Sequence, residues 1–431
     1  MKALLRILLC GLTIDLFFFS SVFNFTRGVN SKLILAVLGL ALFIYNSFKS
    51  KSLNVSRQMI LLTILAAGVS LASLFAMVYN NTGDDAYLTY AISMLVWLSA
   101  AYLVICVIKA AYGDISVERI ANYIIAITVI QCTIAILAYL YVPVNGFVKA
   151  LVPGTGWLDS IDRMYGLGET TALDTGGIRY SIACIFCAYM LVKSEKDGKS
   201  LAPWYLFALF FIIIIGNMIA RTTSIGSVLA LVYIFLYLFP GNTISVSKLR
   251  TAIWMMIIIL IMVIISVWLY DSNELIHKNL RFAFEGFFNL VEEGEWRVNS
   301  NDKLRTMYIW PDNLKTWLIG DGYFSNPAGD LNYLGDLTEG YYMNTDVGYL
   351  RFIYYFGLLG LSFFSFMILF AGKICRMRFP ENNWLFVIFT LLNFIIWFKV
   401  STDCFFILAV FIAMGYVRSL DIEYEKNVPS L

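Results

Sequence analysis

Five arginines stand where an apolar chain has little use for charge. Arg179 opens "GGIRYSIACIFC", Arg221 interrupts "IIIIGNMIARTTSIGSVLALVYIFLYLF", and Arg351 follows "NTDVGYL" at the mouth of a further apolar run. Arg163 and Arg305 lie in two longer, more polar segments. A guanidinium stays charged at any physiological pH and meets phosphate with two parallel hydrogen bonds, so several of them at one membrane depth predict an anionic ligand. A diphosphate on a membrane-anchored lipid presents its charge at that depth. Charge at mid-span is disfavoured by about 2.5–3.5 kcal/mol, so such a residue usually faces a cavity or a partner. The competing reading of Arg221 is a side chain that snorkels to the headgroups.

Two carboxylates could move a proton. Asp346, five residues before Arg351, is the first candidate general base. The same position at the start of a span also gives a purely structural reading, a helix N-cap. Glu169 is the second candidate base. Asp15, inside an apolar run, reads as structural. Aromatic residues in the polar segments offer faces for sugar rings: Trp310, Tyr341 and Tyr342, with Tyr349 just beyond. Their alternative role is packing of a small extramembrane cap. The only histidine is His277, and the Cys184/Cys187 pair has no second pair to complete a zinc site. The seven cysteines read as buried thiols, with neither metal nor cofactor expected.

These residues must be held by spanning helices. Of the 431 residues, 60% are hydrophobic and only 14% charged, with a mean hydropathy of +0.76. Soluble domains carry about 25% charge, so the bilayer is the expected solvent. No basic tail or patch suggests nucleic acid. A ruler of about 20 apolar residues per span gives twelve candidates: 3–24, 33–48, 59–79, 88–108, 120–141, 178–193, 203–219, 223–239, 251–270, 348–372, 383–399 and 404–418. The first resembles a signal peptide, but its long apolar run, Asp15 and the lack of a small-residue cleavage site make it a retained span. With the N-terminus cytoplasmic, seven short inside segments hold 17 of the 31 basic residues, among them Lys51, Lys199, Lys373, Arg376 and Arg378. That agrees with the positive-inside rule and puts both termini in the cytoplasm.

The expected architecture is one all-α polytopic membrane domain over residues 1–431 with two long outer loops, 142–177 and 271–347. In the second, "NELIHKNLRFAFEGFFNLVEE" predicts an amphipathic helix lying on the membrane surface. "NSNDKLRTMYIWPDNLKTWLIGDGYF" predicts a capped helix, a break near Pro311, a second short helix and a glycine turn. This loop carries thirteen acidic, six basic and thirteen aromatic residues.

The order of these features resembles the Wzy-type polymerases of O-antigen and related bacterial polysaccharides, in the superfamily that includes the O-antigen ligases. The resemblance rests on the twelve spans, the long loop after the ninth, "GGIRYSIACIFC", "ARTTSIGS", and "LIGDGYFS…NTDVGYLRFIYYFGLLGL". Two features depart from the family. Arg163 is followed sixteen positions later by Arg179 and Arg305 by Asp321, where some polymerases have glycine; Gly320 and Gly322 bracket the second. The histidine that ligases carry before the span after the long loop is missing from "MNTDVGYL".

The resemblance implies a bundle like that of the membrane-embedded GT-C glycosyltransferases, in the bacterial inner membrane, with the long loops periplasmic. It implies a metal-independent enzyme that moves a growing glycan from undecaprenyl diphosphate to another lipid-linked repeat unit, in lipopolysaccharide, capsule or exopolysaccharide synthesis. Arg179, Arg221, Arg163 and Arg305 would hold the diphosphate. Asp346 and Arg351, with Glu169 in reserve, would be catalytic. Partners would be undecaprenyl-diphosphate-linked oligosaccharides, membrane lipids and a chain-length regulator. A ligase is disfavoured by the missing histidine. A lipid-linked oligosaccharide flippase is disfavoured by the 77-residue loop and by cations gathered on one side.

Overall fold

Within a bilayer every backbone N–H and C=O needs a partner in the chain, so leucine- and isoleucine-rich stretches cross it as helices. The structure, a computed structural model, describes residues 2–50, 55–160, 163–197, 202–238, 246–272, 274–330, 333, 335 and 340–427. Lys51 and Lys199 lie outside the described residues, as do parts of both predicted loops. Among the described residues there is no strand beyond an isolated bridge between Val22 and Asn30. A helix occupies each predicted apolar stretch: Lys2–Phe18, Ser31–Ser50, Arg57–Asn80, Tyr90–Tyr112, Val117–Leu140, Leu173–Lys196, Ala202–Ile219, Thr223–Leu238, Val246–Ser272, Gly348–Arg378, Asn383–Ile396 and Phe405–Asn427. Among the described residues, seven helices are long and apolar enough to cross a membrane. The chain is thus a helical membrane protein.

The helices gather into two compact units, Met1–Leu35 with Val104–Trp296, and Ala36–Leu103 with Arg297–Leu431. The predicted loop 271–347 is shared between them. Helices Glu274–Ala283 and Glu285–Glu292 belong to the first unit; Asn299–Thr306 and Leu314–Ile319 belong to the second. The stretch expected to form one amphipathic helix is broken at Phe284, whose φ of −118° and ψ of 28° leave the helical region.

In the first unit Leu173–Lys196 is the central helix, packed by Val117–Leu140, Ala202–Ile219 and Thr223–Leu238. It starts at Leu173 rather than at the predicted 178. Apolarity alone misses this first turn because its polar groups are satisfied by distant residues. Thr222 Oγ1 donates to Asp174 Oδ1, and Thr175 Oγ1 donates to Glu169. Small residues allow the close packing: a Cβ on Gly226 would stand 2.2 Å from Ser181 Cα.

In the second unit Gly348–Arg378 packs on Arg57–Asn80, Leu314–Ile319, Asn383–Ile396 and Phe405–Asn427. Its helix is interrupted at Phe356 and Gly357, where Gly357 has φ 63°. The interruption frees carbonyls that hydrocarbon could not satisfy. The "LIGDG" turn supplies the donors: Asp321 N to Tyr354 O at 2.5 Å and Gly322 N to Tyr355 O at 3.1 Å. A Cβ on Gly357 would stand 2.3 Å from Leu318 C, so glycine is required for that approach as well as for its φ. The predicted two short helices and glycine turn are present, but the first, Asn299–Thr306, follows Val298 without the expected side-chain cap. Asn313 caps Leu314–Ile319 by accepting from Thr316 N, and Gly320 ends it at φ 85°.

Candidate functional site

The first unit brings Arg163 and Arg221 to one aromatic ring. Arg221 occupies the turn between Ala202–Ile219 and Thr223–Leu238, where helix geometry stops and a long side chain can reach outward. Its Nε donates to Phe282 O at 2.9 Å, and its guanidinium carbon lies 3.8 Å from the Phe282 ring centre. The guanidinium carbon of Arg163 lies 3.5 Å from the same centre. Glu285 Oε2 sits 2.6 Å from Arg221 Nη2. Arg163 has no ion pair among the described residues. Two guanidiniums therefore share a ring; Glu285 pairs with Arg221, and the negative charge of Asp174 also acts on Arg163. Burial, and next the positive charge of Arg221, pull the Arg163 guanidinium down to about 10. It remains charged at neutral pH, so two cations stand side by side on one ring.

Arg179 does not join them. It is 4% exposed, and its fork is filled by Phe18 O, by Thr175 O at 2.9 Å and by Glu169 Oε1 at 3.8 Å. Glu169 in turn accepts from Ser20 Oγ at 3.1 Å and Thr175 Oγ1 at 2.7 Å. Burial alone would raise the Glu169 carboxyl, but Arg179, Thr175, Lys32 and Ser20 outweigh it and hold it below its ordinary value. A carboxylate held ionised by four neighbours is a poor proton acceptor, and the pair works as a brace between the first helix and Leu173–Lys196. Removing its charge takes the carboxylate from a buried guanidinium, which is expected to cost about 3 kcal/mol. Because the folded carboxyl is depressed, this stabilisation is fully present above the unfolded glutamate pKa of about 4.3 and is lost as pH falls through the lower folded value. Thermal unfolding of Glu169→Gln in detergent should therefore lie below the parent at pH 7, with the gap narrowing in acid. A gap independent of pH would contradict the brace.

The second unit holds Arg351, 6% exposed at the head of Gly348–Arg378. Nη1 donates to Ser401 Oγ at 2.5 Å and Nη2 to Phe324 O at 3.0 Å. The guanidinium carbon lies 3.7 Å from the Phe324 ring centre and 3.4 Å from that of Tyr341. Its Nε is buried without an acceptor among the described residues. Tyr341, 44% exposed, covers this arginine like a flap.

Asp346 is exposed beside it, with no hydrogen bond or ion pair among the described residues. The N-cap reading is corrected: the cap is Val347, and no side chain caps the helix. The turn geometry shifts the helix start by one residue and leaves the carboxylate in solvent.

The other predicted residues divide by environment. Arg305 is on the solvent face of Asn299–Thr306, its side chain 82% exposed and 3.6 Å from Asp302. Trp310 is 57% exposed and stacks in parallel on Trp317 at 5.8 Å, leaving an open aromatic face. Tyr342 donates to Asp321 Oδ2 at 3.2 Å and packs on Tyr323 and Tyr354. Tyr349 donates to Phe394 O at 3.0 Å and packs on Trp397 and Phe398. Tyr349 is thus a packing residue, while Trp310 and Tyr341 keep surfaces that a sugar could meet.

Sequence reasoning missed Phe282, Glu285 and Lys315. Phe282 and Glu285 matter only once the amphipathic stretch folds beside Arg221. Lys315 Nζ donates to Asp321 Oδ1 at 2.6 Å and Asn80 Oδ1 at 2.7 Å, tying the glycine turn to Arg57–Asn80. No group of metal-ligating side chains that could hold an ion occurs among the described residues. No family model, curated protein or solved structure matches the chain.

Proposed function

We propose that the protein is a membrane glycosyltransferase of the polysaccharide-polymerase type, joining repeat units carried on undecaprenyl diphosphate at the periplasmic face of a bacterial inner membrane. The observation that carries this reading is the Arg163–Arg221 pair on Phe282, two guanidiniums 3.5 and 3.8 Å from one ring centre. A lipid diphosphate would meet such guanidiniums with charge-assisted, bidentate hydrogen bonds. In the second unit, Asp346, Arg351 and the open aromatic faces of Trp310 and Tyr341 have the chemistry an acceptor sugar needs.

The step is a substitution at the anomeric carbon of the donor glycan. The hydroxyl oxygen of the acceptor's terminal sugar forms the new glycosidic bond. The bond from the anomeric carbon to the phosphate oxygen breaks, and undecaprenyl diphosphate leaves with its electron pair. The hydroxyl proton goes to a carboxylate, for which Asp346 is the candidate. Positive charge stabilises the departing diphosphate. Nucleotide sugar and metal have no part in this balance.

Deletion in the source bacterium is the test. Loss of the protein should abolish the polymer ladder and leave single repeat units on the carrier lipid or on their final acceptor. Units trapped on the cytoplasmic side would contradict this reading and support a flippase. Long polymer that stays on the carrier lipid would support a ligase.

A further inference from the structure

At the end of Gly348–Arg378 away from Arg351, the second unit contains a cavity of about 270 Å³. Its walls are apolar, including Leu40, Phe43, Leu95 and Leu98. Leu40 and Leu95 are exposed, so the cavity opens onto the lipid-facing surface. The charge in it is Arg378. This guanidinium is half-buried and makes one long hydrogen bond, 3.5 Å from Nη2 to Gln58 Oε1, with no carboxylate partner among the described residues. A Cβ on Gly415 would stand 2.4 Å from Arg378 Cδ. Glycine there lets the arginine stem lie against Phe405–Asn427 while its head lines the cavity. The neighbouring Arg376 is different: it is exposed and donates to Asn383 Oδ1 at 2.6 Å.

We propose that this cavity is a binding site for an anionic phospholipid, its phosphate on Arg378 and Gln58 and an acyl chain along the apolar wall. Gln58 gives its carbonyl oxygen to Arg378, which leaves its amide N–H groups for phosphate oxygens. A free anion would use the arginine but not the walls. A zwitterionic lipid would use the walls but bring a second cation to the arginine. Basic pockets between helices on the cytoplasmic side, where anionic lipids collect, are suited to this ligand. The sequence assigns Arg378, with Lys373 and Arg376, to a cytoplasmic segment. The site includes none of the arginines assigned to glycosyl transfer.

The test uses the full chain in dodecylmaltoside, titrated with dioctanoyl phosphatidylglycerol, dioctanoyl phosphatidylcholine or inorganic phosphate. Melting temperature and bound lipid by native mass spectrometry are the readouts. Phosphatidylglycerol should stabilise saturably, while the other two should not. Arg378→Gln should weaken phosphatidylglycerol binding roughly tenfold or more, and Arg376→Gln should leave it unchanged. Gln58→Glu keeps the fold by giving Arg378 an internal counter-ion, and should abolish binding. The proposal is overturned if phosphatidylcholine or inorganic phosphate stabilises as well as phosphatidylglycerol. It is also overturned if Gln58→Glu binds normally, or if Arg376→Gln loses as much as Arg378→Gln. All readouts are binding measurements, so they stand whatever reaction the protein catalyses.

Discussion

Asp346→Asn is expected to leave thermal unfolding unchanged and to cut polymer formation by roughly 10²–10⁴-fold, the usual loss when a general base is removed. Stability should not move because the carboxylate is exposed and without a hydrogen bond among the described residues, and the helix beyond it is capped at Val347 without a side chain. Asparagine keeps the shape and the polarity but cannot take a proton. The variant should therefore express and insert normally while lipid-linked single units accumulate. Near-normal polymer from a well-expressed variant would take Asp346 out of the reaction. Glu169 would not inherit its role, since Arg179 and its other neighbours already hold that carboxylate ionised.

Arg163 and Arg221 should separate binding from folding. Arg163 has no ion pair among the described residues, and Asp174, whose charge acts on it, keeps its hydrogen bond from Thr222, so Arg163→Gln removes charge without breaking a contact pair. Melting should stay close to the parent, while activity falls about 10²-fold, as for loss of one group that stabilises a departing anion. Arg221→Gln takes from Glu285, whose side chain is 12% exposed, its ion partner at 2.6 Å. That change should lower activity and also destabilise by about 3–5 kcal/mol. Arg221→Lys keeps the charge but loses the planar fork that reaches both Phe282 O and Glu285, so it should restore stability better than activity. Full activity in Arg163→Gln would leave the pair a purely structural cation cluster.

The apolar stretches announced their helices because their length and their freedom from charge allow little else in a bilayer, and local caps such as Ser56, Ser116 and Asn313 follow ordinary rules. The early start of Leu173–Lys196 was hidden because Asp174 and Arg179 look unfit for a helix until Thr222, Glu169 and Phe18 O are brought to them. The interruption at Gly357 was hidden for a similar reason. Its freed carbonyls are answered by Asp321 and Gly322, more than thirty residues earlier in the chain.

Among the candidate residues, Arg163 and Arg221 in the first unit and Arg351 and Asp346 in the second could be named from residue type and position. Their surroundings could not. Arg179 had the same sequence signature as Arg221, but a carboxylate ten residues before it fills its fork. Tyr349 looked like Tyr341, yet one is packed on Trp397 and the other lies over Arg351. Such differences arise from contacts across the fold, which spacing along the chain does not encode.

The most direct measurement of the proposed activity uses the purified protein in proteoliposomes with a synthetic undecaprenyl-diphosphate-linked repeat unit. No nucleotide sugar is added, and chelator is present. The account predicts lipid-linked dimers, trimers and longer glycans, with one undecaprenyl diphosphate released per bond formed and product cut roughly 10²–10⁴-fold in Asp346→Asn. Repeat units that stay single in the presence of active, correctly folded protein, or that merely change leaflet, would contradict it.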